Sequence, residues 1–201
     1  MSDDAQTLQV RDLITTTNEI LSTHEVNNED IPINLEEIIR LIERKTNAKI
    51  LFREGSWSSE AIRGRLLRYE HKAVIEYASE LNPCWRRFVT CKECCHLLLD
   101  SETMYTKDPV ALINQLIGGQ FSSNLEPEAE LSEYMAVIGA IELLFPWKYR
   151  KQLYEKYINQ EISLYKIAST FRIPGHYVEI AFGEKFIKLT DPIHTEFAQK
   201  K

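Results

Sequence analysis

The sequence predicts an α+β domain, mostly α overall, with a small and mostly antiparallel three-stranded sheet. Three observations predict it. Apolar residues recur at helical spacing near both ends of the chain, for example Leu8, Val10, Leu13, Ile14, Ile20 and Leu21. Three short β-type runs lie together between residues 49 and 78, two of them flanking the turn-like Glu70-His71-Lys72. After Asn82-Pro83 every apolar pattern is again helical. One group of strands between groups of helices indicates segregated layers rather than alternating βαβ units.

The elements follow in order. Residues 8–23 form an amphipathic helix, ended by the polar run Asn27-Asn28-Glu29-Asp30 before Ile31-Pro32. Asn34 caps a second helix, with Glu37 completing a capping-box pattern and Ile38, Ile39 and Ile42 on its apolar face. Strands are expected at 49–53, 62–69 and 73–78. Asn82 and Pro83 open a helix running to Leu99, and further helices are expected at 109–118, 128–144, 147–159, 163–171 and 175–186. Pro146 and Pro174 fall at breaks between them. The expected organisation is an N-terminal helix and connector (1–30), a core (31–146, with the sheet at 48–78, a motif helix at 83–99 and a second helix at 128–146) and a C-terminal helical lobe (147–201).

Composition narrows the function classes. Of 201 residues, 44% are hydrophobic and 27% charged, which is ordinary globular usage and enough core to need no staple. A net charge of −6 argues against DNA or RNA as a bulk electrostatic partner. No apolar run approaches a membrane span, and the start Met1-Ser2-Asp3-Asp4 lacks the basic and apolar regions of a secretory signal. The expectation is a cytoplasmic protein with no membrane partner and four reduced cysteines.

The chemistry concentrates in Arg87-Phe88-Val89-Thr90-Cys91-Lys92-Glu93-Cys94-Cys95-His96-Leu97-Leu98-Leu99. Residues four apart on a helix are neighbours on one face, about 5–6 Å apart at Cβ. Zinc peptidases use this spacing to present two His at i and i+4, with a Glu at i+1 that activates the metal-bound water. Here Glu93 stands at i+1, His96 at i+4 and Lys92 at i. A solvated Lys-Glu face with a core histidine is the plain alternative. Cys91, Cys94 and Cys95 share one turn; they read as core filler, or less economically Cys91 and Cys95, at i and i+4, read as half of a soft-metal or redox site.

With those flanks the segment resembles the ImmA/IrrE-like metallopeptidase family, whose motif helix reads R-F-x-x-A-H-E-x-x-H followed by leucines. The match is at Arg87, Phe88, Glu93, His96 and Leu97 to Leu99; Cys91 and Lys92 depart from it. The resemblance implies a zincin-like helical bundle around the sheet. It also implies a downstream helix of the form E-x-E-A-N-x-F-A-A-x-L-L-M-P, and Ala136, Leu143, Leu144 and Pro146 set a register that puts Met135 at the third ligand position. In that register Glu133 points to the opposite side. Lys92 is an ammonium without a lone pair and Met135 a poor zinc ligand, so the site reads as lapsed, with no cofactor. Lys92 would stand in for the cation beside another acid, its neighbour Glu93 being a poor partner across i, i+1.

The functional expectation is therefore a regulatory or protein-interaction module on a metallopeptidase-like scaffold. The resemblance implies a partner such as a transcriptional repressor, in phage, mobile-element or stress control. The alternative is an active zinc peptidase, with Glu93 as general base, His96 as a ligand and Cys95, Glu128 or Glu142 completing the site. A third reading is a DNA-binding regulator using residues 162–186, which look like a helix-turn-helix. Its second helix carries Glu179 and Glu184 against Lys185, which disfavours base reading. The loop at 118–127 is a candidate cover for a cleft.

Overall fold

In a computed structural model, which describes residues 3–24, 31–56, 63–100 and 127–199, the protein is mostly helical with one small sheet. The elements are α1 (Asp3–His24), α2 (Leu35–Thr46), β1 (Lys49–Gly55), β2 (Gly64–Tyr69), β3 (Lys72–Ala78) and α3 (Pro83–Leu99). Then follow α4 (Pro127–Leu144), α5 (Trp147–Ile158), α6 (Leu164–Phe171), α7 (Gly175–Phe182) and α8 (Glu184–Gln199). The α+β class expected from the pattern of elements is the class observed. The expected helix at 109–118, the loop at 118–127 and the side chain of Glu128 lie outside the described residues. Among the described residues no helix is long and apolar enough to cross a membrane.

The chain divides into two compact units, residues 39–138 and residues 1–38 with 139–201. In the first unit the strand order is β1-β3-β2, with β3 antiparallel to β2 and parallel to β1. The sheet is thus mixed rather than mostly antiparallel. The Glu70-His71 turn pairs β2 with β3 as the hairpin pattern predicted. β1, which precedes both, enters on the far side of β3, and nothing in its own residues encodes that choice.

The register defines two sheet faces. Gly64, Leu66 and Arg68 of β2 share one with Ala73, Ile75 and Tyr77 of β3 and with Ile50 and Phe52 of β1. α3 packs on this face, over β2 and β3. Gly64 makes the close approach possible, because a Cβ there would collide with Val89 of α3 and lie 3.2 Å from Glu93 Oε1.

α3 starts and stops where the sequence predicts. Asn82 Oδ1 accepts the N–H groups of Cys84 (3.0 Å) and Trp85 (3.1 Å), and Pro83 occupies the first turn, where no donor is needed. At the other end Asp100 is extended and its N–H donates to His96 O at 3.0 Å, while Arg68 of β2 donates to that same carbonyl and to Asp100 O (2.9 Å). α2 begins at Asn34, whose side chain accepts the Glu36 N–H at 3.1 Å.

The second unit is built of helices. α1 packs against α8, with Arg11 Nη1 on Glu196 Oε2 at 2.7 Å. Phe145 packs on Phe171 and Phe182, with ring centroids 4.6 and 5.8 Å apart, so α6 and α7 close over a shared aromatic core. The turn between them is sharp because Arg172 is left-handed (φ 52°) and Pro174 precedes α7. The helix expected at 175–186 is two helices, α7 and α8, broken at Gly183, whose backbone is extended.

Candidate functional site

Almost the whole circumference of α3 is buried: Phe88, Val89, Thr90, Cys91, Glu93, Cys94, Cys95 and His96 are all shielded from solvent. A solvated Lys-Glu face is therefore excluded. The carboxylate of Glu93 and the imidazole of His96 sit in the interior, against the sheet and the first turns of α4.

Lys92 is the hub. Its Nζ donates to Glu133 Oε2 at 2.8 Å and stands 3.0 Å from Glu93 Oε1. The second contact is an ion pair without hydrogen-bond alignment. The lysine stem is long enough to fold its ammonium back over the next residue, so the neighbouring pair that helical geometry disfavours at Cβ is made at the charged tips. Burial alone would depress the Lys92 pKa, but Glu133 and Glu93 outweigh it and hold the ammonium firmly protonated.

His96 joins from the next turn. Its Nε2 lies 3.1 Å from Glu133 Oε1, in an unaligned ion-pair contact, and its Nδ1 lies 2.8 Å from Asp100 Oδ2. Ser132 donates to the same Asp100 oxygen at 2.8 Å and is 3.1 Å from the imidazole. Burial works against the imidazolium, yet Glu133 and Asp100 prevail and raise the His96 pKa to about 9. Glu133, pushed up by burial but pulled down more strongly by Lys92 and His96, is held far below the usual carboxylate range.

Two expectations are corrected here. Glu133 does not point away from the motif helix: it is the acid that meets both Lys92 and His96. Met135, placed at the third ligand position by the leucine-proline register, is buried elsewhere on the helix surface. At about 100° per residue, Ser132, Glu133, Ala136 and Ala140 fall on one stripe, and Met135 lies roughly 110° from its middle. The small residues Ala136 and Ala140 were the available signal. They mark the side on which α4 can be approached closely, and Glu133 shares it.

The remaining expected groups are elsewhere. Glu142 is buried in the helical unit, where Arg150 Nη2 donates to its Oε1 at 2.6 Å and His194 Nε2 lies 3.0 Å from its Oε2. Cys91, Cys94 and Cys95 are fully buried. Burial raises the Cys94 thiol well above its ordinary pKa, and for Cys95 a hydrogen bond with Cys91 does so first, with burial second. Neutral buried thiols fill the core and are poor nucleophiles and ligands, which supports the packing reading.

The residues present disfavour a zinc ion: the Lys92 ammonium offers no lone pair, and the Glu133 carboxylate that faces His96 is already engaged by it. A dication would have to displace Lys92 from Glu133 while the positive charge of Lys92 remains within a few ångströms. Among the described residues no group of three or more His, Cys, Asp or Glu is arranged to hold a metal ion.

On the helix-turn-helix-like element, Ile167, Ala168, Phe171, Val178, Ala181 and Phe182 are buried, and α7 exposes His176 and Glu179. No protein-family model matches this chain, and no curated protein sequence matches it.

Proposed function

We propose that this chain is a catalytically lapsed, metallopeptidase-type scaffold that acts in the cytoplasm as a regulatory or protein-interaction module. The observation that carries the reading is the Lys92 ammonium between Glu93 and Glu133, in the place where the resembling family holds a cation. Glu93, the general base of an active site of this kind, then faces an ammonium rather than a metal-bound water. The resemblance to ImmA/IrrE-like proteins suggests a partner of the transcriptional-repressor kind, bound without being cut. The absence of any Lys or Arg from α7, which exposes Glu179, favours a protein over DNA as that partner.

The reading is tested by elemental mass spectrometry of the purified, untagged protein beside its Lys92→His variant. The wild type is expected to hold no zinc after incubation with it. Lys92→His, which would set two imidazoles and the Glu133 carboxylate around one point, is expected to take up about one equivalent, lost again on Glu133→Gln. Near-stoichiometric zinc in the wild type, released by His96→Ala, would overturn the reading and restore the active peptidase. Zinc-free Lys92→His protein that remains folded would show that the three positions do not form a ligand set.

A further inference from the structure

The sheet face turned away from α3 is organised in rows. The register aligns Lys49, Lys72 and Tyr69 in the first, Leu51, Val74 and Leu67 in the second, and Arg53, Glu76 and Arg65 in the third. Leu51 is 45% exposed, and Phe52 on the opposite face of the same strand is 44% exposed. Both are unusual for large apolar residues in a strand; of the seven exposed large hydrophobics among the described residues, three (Leu51, Phe52 and Tyr69) belong to this sheet. Phe52 is uncovered because α3 lies over β2 and β3 and leaves β1 overhanging.

β1 is also an edge. Lys49 N–H donates to His71 O, and Gly55 O accepts from Ser79 N–H, so the odd-numbered residues turn their backbone groups toward β3. The even-numbered ones face outward. The first outward donor, Ile50 N–H, is taken by Glu43 Oε1 at 2.8 Å. The backbone groups of Phe52 and Glu54 continue along the edge, and among the described residues no strand pairs there. A strand edge flanked by exposed apolar side chains is a template for an added strand unless something covers it.

The charge beside the edge identifies what fits. Glu76 accepts from Arg53 on one oxygen and from Arg65 on the other, and the positively charged Arg53 side chain stays 61% exposed beside the edge. The Arg53 fork carries five donor hydrogens and meets Glu76 through its Nε and one Nη only. At the other end Lys49 lies 3.0 Å from Glu43, which weakens that row as an anchor.

We propose that β1 docks an extended acidic peptide segment of a partner protein, which adds as a fourth strand. One of its carboxylates lies beside Arg53, its next residue in line on that face is apolar beside Leu51, and the intervening residue is apolar beside Phe52. Side chains of an added strand alternate at a period of two, so the pattern read by the edge is acid, apolar, apolar. A second copy of this chain fits badly, because antiparallel edge pairing about Phe52 would set two Arg53 guanidiniums on one face. This inference supplies the partner chemistry for the interaction part of the function proposed above and rests on that part alone. Zinc uptake and peptide binding are separate measurements, so failure of one leaves the other readable.

The test uses the full-length protein labelled with nitrogen-15 and a fluorescent probe peptide, Gly-Glu-Val-Ile-Thr-Asp-Gly. Saturable binding is expected, with shifts concentrated on the amides of residues 51–55. Arg53→Glu, in which Arg65 still holds Glu76, is expected to weaken binding at least tenfold, as is Phe52→Lys at the uncovered edge. The same peptide with lysines for its acids is expected not to bind. Unshifted β1 amides at millimolar peptide, equal affinity of the lysine peptide, or unchanged binding by both folded variants would overturn the proposal. So would tighter binding of a single-stranded oligothymidine, or loss of the edge to self-association seen by sedimentation.

Discussion

Two glutamates of helix α4, Glu142 buried and Glu133 half-buried, are each held by one basic side chain and one histidine, and the two are satisfied to different degrees. Glu142 is complete: Arg150 donates to one oxygen at 2.6 Å, His194 meets the other at 3.0 Å, and Arg150 also donates to Phe145 O at 2.8 Å. Trp147 stacks on His194, with centroids 5.2 Å apart, and its own N–H reaches Asp191 at 3.1 Å. Glu133 sits among more charges but fewer aligned bonds. Its neighbours Glu93 Oε1 and His96 Nε2 are buried without an aligned hydrogen bond. A cluster shaped only by stability closes its polar groups, since each buried one left unpaired costs about 1–3 kcal/mol. The Glu142 cluster is a staple. The Glu133 cluster is the less completely bonded of the two, and that incompleteness is what the function proposed above would account for.

Substitutions in the two clusters are expected to differ in cost. The largest effect is expected from Glu142→Ala, which strands Arg150 and His194 in the interior; a loss of about 3–5 kcal/mol in urea unfolding is expected. A loss under 1 kcal/mol would remove the distinction between the clusters.

The second effect is one of pH. His96 binds its proton more tightly folded than unfolded, so its contribution is full below about pH 6.5, the unfolded value, and is lost as pH rises toward about 9. The expected decline is on the order of 3 kcal/mol across that window, and it should vanish in His96→Gln. An unchanged pH slope in that variant would mean that the imidazole is not charged in the fold.

Glu133→Gln should cost less than Glu142→Ala, about 2 kcal/mol, because Glu93 remains beside Lys92 to take up part of its charge. If the two variants cost the same, the incomplete alignment around Glu133 has no energetic meaning. The smallest effect, about 1 kcal/mol, is expected for Ser132→Ala, which removes one of the two donors on Asp100 Oδ2. Following the His96 ring protons by NMR in that variant would show whether Asp100 holds the imidazole by itself.

Much of this architecture was legible because it is local. α3 is bounded by Asn82-Pro83 and Asp100, whose capping chemistry operates within a turn, and the β2-β3 hairpin is set by the residues around Glu70-His71. The parallel seat of β1 was not legible, since it depends on which side of β3 is left open after the hairpin forms. In the site, Lys92, Glu93 and His96 follow from spacing along one helix. Glu133 was missed because its register was anchored on Leu143-Leu144-Pro146, about three helical turns away; an offset of two residues rotates a side chain by about 200° and exchanges one face for the other. The Glu142–Arg150–His194 cluster joins residues up to 52 apart in sequence, and no local pattern signals it.

The placement of Lys92 has a consequence for how the fold answers to its surroundings. A bound ion stabilises a protein by mass action, in proportion to the logarithm of its free concentration, and is withdrawn when a chelator or a competing protein lowers that concentration. An ammonium carried on the backbone has no dissociation equilibrium: its occupancy is one per chain and its effective concentration is set by four methylene groups. On the function proposed above, this site is therefore expected to add no dependence on metal starvation or metal excess to the folded population.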